Sequence, residues 1–386
     1  MYRNILSSNA ILRSLSILIV DDSEIGVKII QKFLHEAGFE NVFFAVNGVD
    51  ALRKIEELHP SIIVTDIYMP EMDGFELCKH IKANDETKDL PIIIQTSATD
   101  TAEISKAFDV GVNDVVIKPI QKDEFLSRLV LHLENSLFRR RIKQELQSAI
   151  ELQASIMPDQ ENLKAVSAHY SVDIASLFHP CSEVGGDFWG FKEVSLSELS
   201  IYNVDISGHG VASAMNALRI HTLMQGKMGV LPTPDLFIRK LNRKVCELIS
   251  AGQYATMFYG IINFEENYIE YTNAASPLPM ILRADGKVEI LEKTFLPVGV
   301  SSASGYESIK VPFKKNDQLI IFSDALVETP NDHGEFLNQY KLAKSLNSYS
   351  GKSAQELLNF INSKFEDFIG KNTINDDLTI NVYKRL

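Results

Sequence analysis

SIIVTDIYMPEMDG, residues 61–74, reads as an apolar, β-branched run that ends on an aspartate and breaks at a proline and a glycine. Such a run, bounded by turn residues, is a buried strand, and it sets the Asp66 carboxylate at the strand's carboxyl end. Similar runs lie on either side: SILIV (16–20), VFFAV (42–46), PIIIQ (91–95) and DVVIK (114–118). Amphipathic stretches at 24–37, 48–58, 74–83, 101–110 and 122–134 separate them. Five strands alternating with five helices predict an α/β doubly wound, five-stranded parallel sheet over 14–130, after an N-terminal tail at 1–13. In such sheets the site sits at the carboxyl ends of the strands.

Those ends carry a pattern. Asp21 and Asp22 follow the first strand, Asp66 the third, Thr96 ends the fourth, and Lys118 ends the fifth ahead of Pro119. Three crowded carboxylates are mutually unfavourable unless a cation sits among them, and all-oxygen ligands favour a hard ion such as Mg²⁺. A hydroxyl and an ammonium aimed at the same point suit a phosphoryl group on one carboxylate. Helix capping accounts for one such aspartate, not for the whole set.

These residues resemble the receiver domain of bacterial two-component response regulators. The resemblance implies that Asp66 is the phosphoacceptor, that Asp21, Asp22 and Asp66 hold Mg²⁺, and that Thr96 and Lys118 contact the phosphoryl oxygens. It also implies a cognate histidine kinase as partner. One departure is Val115, where the family usually has an aromatic three residues before the lysine.

The rest of the chain bounds the reading. At 386 residues, two or three domains are expected. The composition, 45% hydrophobic and 23% charged, supports ordinary globular cores. The net charge of −13 argues against nonspecific binding to nucleic acid or an anionic membrane. No apolar run reaches membrane-spanning length, and Arg13 interrupts the N-terminal apolar stretch, unlike a signal peptide. Cys78, Cys181 and Cys246 are too scattered for a disulfide framework, so a cytoplasmic location is expected.

From 124 to 157 the pattern is one long helix without Gly or Pro, stopped by Pro158. Its core-linker part is placed at 131–158. Leu126, Leu129, Leu133, Leu137, Ile142, Leu146, Ala149, Leu152 and Ile156 recur at three- and four-residue steps. The stripe fits either a coiled-coil homodimer through the linker or packing on the chain's own domains. The RRRIK run at 139–143 reads as a solvated face.

Residues 159–386 mix strand-like runs (172–178, 199–206, 256–263, 268–273, 278–282, 287–291, 318–322, 378–383) with helices near 211–227, 234–250, 335–347 and 354–369, an α+β pattern with antiparallel sheets. Acids stand beside these runs: Asp187 in SEVGGDFWGF, Asp205 in YNVDISGHG, Asp324 in LIIFSDALVE, and Asp376 and Asp377 in NDDLTI. Glycines at 185, 186, 208 and 210 permit close backbone approach. Carboxylates converging without a Cys or His set favour Mg²⁺ or Mn²⁺ over Zn²⁺. Two such ions sharing a water lower its pKa and ready it for in-line attack on phosphorus, with no Ser or Cys nucleophile. Single turn aspartates are common; this ordered set is not. His209 reads as a loop or second-layer group, not a ligand.

This half resembles the type 2C (PPM) metal-dependent serine/threonine phosphatases, in their bacterial sporulation and stress-response branch. The resemblance implies an antiparallel β-sandwich flanked by helices and two Mg²⁺ or Mn²⁺ ions. It implies Asp205 as a bridging ligand, the Ile206 carbonyl, Asp324 and Asp376 as further ligands, Asp187 on the water or phosphate side, and Asp377 as a weaker ligand. The family's N-A-G-H segment reads Asn273-Ala274-Ala275-Ser276, and its D-G reads Asp324-Ala325. The expected function is a response regulator whose phosphorylation at Asp66 controls a phosphatase acting on a phosphorylated anti-sigma factor antagonist. The alternative is an adaptor that binds a sigma factor or its antagonist without turnover. A DNA-binding output fails for want of a basic recognition helix after residue 130.

Overall fold

Three of the N-terminal apolar runs, 17–20, 62–65 and 92–96, bury both of their faces, as central strands of a sheet covered on both sides do, while the runs at 42–45 and 114–117 are only partly buried. The computed structural model describes all residues except 1–5, 7–8, 98–100, 183, 209, 226–231, 251, 348 and 350, and the side chains of 101–102. The strands are β1 (Ile17–Val20), β2 (Val42–Ala45), β3 (Ile62–Asp66), β4 (Ile92–Thr96) and β5 (Asp114–Ile117), parallel, in the order β2-β1-β3-β4-β5. The helices are α1 (Ala10–Arg13), α2 (Glu24–Glu36), α3 (Gly48–Leu58), α4 (Gly74–Ala83), α5 (Thr101–Asp109) and α6 (Lys122–Ala154).

The two faces of the sheet have separate cores. On one, Ile30 and Leu34 of α2 join Phe125, Leu126, Leu129 and Leu133 of α6 against Ile17, Ile19, Val64 and Ile93, with Leu12 of α1 fully buried among them. On the other, Ile55 of α3 and Leu77 and Ile81 of α4 cover Leu18, Val20, Ile63 and Ile94. Ser23, Asn47 and Asp73 cap α2, α3 and α4 through their side chains. Capping is therefore done by other residues, and Asp66 is left for different work. Gly74 is required by a close approach: a Cβ there would lie 2.3 Å from the Asp66 carbonyl oxygen.

The chain divides into two units, Met1–Glu145 and Leu146–Leu386, with the boundary inside α6. In the second unit α7 (Gln160–Tyr170) precedes β6 (Val172–His179), β7 (Phe188–Glu193) and β8 (Glu198–Ile206). Then come α8 (Val211–Gln225), α9 (Pro234–Leu248), β9 (Ala255–Asn263), β10 (Tyr268–Ala274), β11 (Met280–Leu282), β12 (Val288–Ile290), β13 (Ile309–Pro312) and β14 (Gln318–Phe322). The chain ends with α10 (Ala325–Glu328), α11 (Gln339–Leu346), α12 (Ala354–Ile369) and β15 (Leu378–Arg385).

These strands make two five-stranded sheets, β13-β10-β9-β8-β7 and β12-β11-β14-β15-β6, antiparallel throughout. Between them pack Leu199, Ile201, Phe258 and Ile262 from the first and Ile281, Leu319, Ile321 and Tyr383 from the second. Outside, α8 and α9 bury Ala217, Ile220, Phe237 and Leu241 on the first sheet, and α11 and α12 bury Leu342, Leu357 and Ile361 on the second. This is the helix-flanked sandwich expected. Five elements escaped the pattern reading: α1, within the stretch read as a tail, α7, β7, whose run is interrupted by Gly190, the single-turn α10, and β13, a short strand ending in proline.

Ala275, in the Asn273-Ala274-Ala275-Ser276 segment, has φ +59. A left-handed alanine costs about 1–2 kcal/mol, part of which glycine would return through a freer unfolded chain. Ala275→Gly is therefore expected to stabilise this unit by about 0.5–1 kcal/mol, seen as a higher denaturant midpoint with unchanged slope.

Candidate functional site

Parallel pairing of β1 with β3 sets Val20 opposite Thr65, so the residues just beyond them meet. Carboxylate oxygens of Asp21, Asp22 and Asp66 all lie within 4.8 Å of one another. Asp21 is buried, and burial is the main reason its carboxyl pKa is raised. The Lys118 ammonium partly compensates the cluster, at 2.7 Å from Asp66 Oδ2 and 3.4 Å from Asp21 Oδ2. Thr96 ends β4, the neighbouring strand, but its hydroxyl donates to Glu103 Oε2 at 2.9 Å. The Tyr68 hydroxyl donates to the other Glu103 oxygen at 2.5 Å. Neither Tyr68 nor Glu103 was foreseen from sequence. Val115 lies in the same buried core as Leu77 and Ile81 of α4 and Ala107 of α5.

The second cluster draws on both sheets of the sandwich. Asp205 lies on β8, Asp187 just before β7, Asp324 just after β14, and Asp376 and Asp377 just before β15. Asp187 and Asp377 are 1% and 2% exposed, well inside the range that charged groups normally avoid. Burial, then the charge of Asp205, pushes the Asp187 carboxyl well above the usual range. Burial, then Asp324 and Asp376, pushes Asp205 up to about 7. Asp324 is pushed up to about 6 by burial, then by Asp376 and Glu328. These five acids thus act on one another electrostatically.

Asp324 occupies the N-cap position of α10 yet makes no side-chain capping bond. Among the described residues, neither Asp187, Asp205 nor Asp324 is ion-paired with a lysine or arginine, and Asp187 Oδ1 has no hydrogen-bond partner although buried. Oxygen donors of this kind, buried and short of positive charge, fit hard divalent cations.

The glycine pair makes the loop possible. A Cβ on Gly185 would lie 2.1 Å from Asp377 Oδ2, and one on Gly186 would lie 2.9 Å from the Ile206 carbonyl oxygen. Asp377 spends both oxygens on this loop, accepting the N–H groups of Cys181 at 2.9 Å, Gly186 at 2.5 Å and Asp187 at 3.4 Å. Gln153, near the end of α6, holds the loop from the other side. It accepts the Gly185 N–H at 3.0 Å and donates to the carbonyls of Gly185 at 2.9 Å and Asp187 at 3.4 Å. Sequence reading missed Gln153, because its partner is 32 residues away and nothing local marks it. His209 lies outside the described residues.

Asp377→Ala would leave the Cys181, Gly186 and Asp187 amides without their acceptor. We expect the second unit to lose about 1–3 kcal/mol and Mn²⁺ binding to weaken, as measured by denaturation and titration calorimetry.

Residues 17–130 match the family model for the response regulator receiver domain, and residues 197–386 match that for stage II sporulation protein E (SpoIIE). The chain is 28% identical over 250 residues to the phosphoserine phosphatase RsbU of Bacillus subtilis, covering 64% of this chain and 72% of RsbU. It is 34% identical over 119 residues to protein PilG of Pseudomonas aeruginosa, covering 31% of this chain and 87% of PilG. The solved SiaA-PP2C domain of Pseudomonas aeruginosa superposes with a TM-score of 0.57 at 19% identity, over 64% of this chain and 98% of that domain, a likeness of fold. The chain therefore belongs to the response-regulator receiver family and carries, as its second unit, a metal-dependent phosphatase domain of the SpoIIE (PP2C) type.

Proposed function

We propose that this protein hydrolyses phosphoserine or phosphothreonine on a small anti-sigma factor antagonist, and that a histidine kinase sets its rate by phosphorylating Asp66. The observation that carries the reading is the buried and half-buried acid set drawn from both sheets, with no lysine or arginine paired to Asp187, Asp205 or Asp324 among the described residues. An adaptor working by capture alone has no need of such a set. RsbU, by its name a phosphoserine phosphatase, supports the substrate class.

In this reading Asp205, the Ile206 carbonyl, Asp324 and Asp376 hold two Mg²⁺ or Mn²⁺ ions. When bound, such ions polarise the phosphoryl oxygens and lower the pKa of a shared water. Asp187 orients the attacked side, and Asp377 holds the GGD loop. In the receiver, Asp21, Asp22 and Asp66 hold one Mg²⁺. Lys118, whose ammonium is 2.7 Å from Asp66, would donate to a phosphoryl oxygen there. Thr96 reaches that group only by giving up Glu103.

Control passes through α6. The first turns of this helix are receiver core, and Gln153 near its end grips the loop that carries Asp187. Leu131, Phe138, Ile142 and Leu152 are exposed on it, a stripe that the same helix of a second copy would cover as a coiled coil. The free thiols of Cys78, Cys181 and Cys246 suit a reducing cytoplasm.

Wild-type protein is expected to hydrolyse a phosphoserine protein only with Mn²⁺ or Mg²⁺, and Asp205→Ala to lose on the order of 10³-fold in kcat/KM. Full turnover by Asp205→Ala would refute the assignment. Beryllofluoride, a phosphoryl mimic, should change the rate of the wild type and leave Asp66→Ala unaffected. Sedimentation should show a change in association with the mimic; a monomer in both states removes the dimer.

A further inference from the structure

Thr379 sits on β15, two residues beyond Asp377, and is fully buried. Its hydroxyl donates to Asp187 Oδ2 at 2.5 Å, across 192 residues of sequence. A threonine hydroxyl has one proton to give, so the bond is a single directed contact to one carboxylate oxygen. Oδ1 of Asp187 remains without a hydrogen-bond partner among the described residues. The rest of Thr379 is also fixed. Its N–H donates to Ser323 Oγ at 2.8 Å, its carbonyl accepts the Ser323 N–H at 2.9 Å, and Ser323 Oγ donates to the Asp377 carbonyl at 2.8 Å. Ser323 immediately precedes Asp324. One small network therefore joins the strand ends bearing Asp324 and Asp376 to the side chain of Asp187.

We propose that Thr379 is a positioning residue: its hydroxyl fixes the direction of the Asp187 carboxylate, keeping Oδ1 available to the cation and phosphate site. The proposal rests on the functional reading of the acid cluster above. Three physical points support it. The hydroxyl is on a β-branched side chain, whose χ1 is stiff. It is held on a strand whose backbone is paired on both sides, to β14 and β6, so it does not move independently of the sheet. A buried hydrogen bond to a carboxylate is among the stronger kinds, and a carboxylate left without it is free to rotate. The bland alternative is that Thr379 only fills space in the sandwich. Valine fills the same space without the proton, so the two roles separate experimentally.

The test uses the full chain as Thr379→Val and Thr379→Ser. Mn²⁺ affinity is read by titration calorimetry, and kcat and KM on a phosphoserine protein. Groups that orient metal-site residues typically contribute 10–100-fold. Thr379→Val should lose about that in Mn²⁺ affinity or kcat, with KM for the phosphoprotein nearly unchanged, while Thr379→Ser stays within about threefold of wild type. If the valine variant does not fold, Thr379→Ala against Thr379→Ser gives the same comparison. Wild-type Mn²⁺ affinity and kcat in Thr379→Val would overturn the proposal, as would a serine variant as impaired as the valine one. The calorimetry keeps the two readings distinguishable. A wild type that binds Mn²⁺ without turnover defeats the enzymatic assignment and leaves the ratio of affinities to decide the role of Thr379. A wild type that binds no Mn²⁺ overturns both.

Discussion

Like charges taken out of water are the constraint around which the second unit is built. Asp187, Asp205 and Asp324 would each be more comfortable protonated or exposed, and each is pushed toward the neutral form by burial and by its neighbours. Only a scaffold that is already stable can hold such groups together. The sandwich supplies it, with an apolar layer between the sheets and helices packed outside each. Hydrogen bonds from the backbone and from Thr379 then fix the acids in place.

The two acid clusters of this chain solve the same problem differently. In the receiver, Lys118 stands at ion-pair distance from two of the carboxylates, so part of the positive charge is built in. In the phosphatase unit backbone amides compensate Asp377, and no lysine or arginine is paired with Asp187, Asp205 or Asp324 among the described residues. A receiver needs to accept and lose one phosphoryl group, for which a lysine near the acceptor suffices. Hydrolysis of phosphate on another protein asks for a stronger electrophile, and an uncompensated acid set recruits one.

Helix α6 belongs to both stories. Its first part is buried by the receiver sheet, its middle is exposed, and its end sets an amide against the loop of Gly185 and Gly186. A helix resists bending, because displacing one turn breaks its own backbone bonds. Phe125 and Leu129 lie in the core of the first unit, and Gln153 meets the Gly185 backbone in the second.

The sequence alone determined the sheet types, the long helix and the acids at strand ends, because periods of 2 and 3.6 residues and turn chemistry are local. Strands β7 and β13 broke that rule through a glycine and a proline. Only the tertiary structure decided that Asp377 is spent on the loop's amides, that Thr96 leans on Glu103, and that Gln153 and Thr379 touch the site. The reason is physical: those bonds join residues brought together by sheet pairing and layer packing, and no spacing along the chain encodes which side chain will face which.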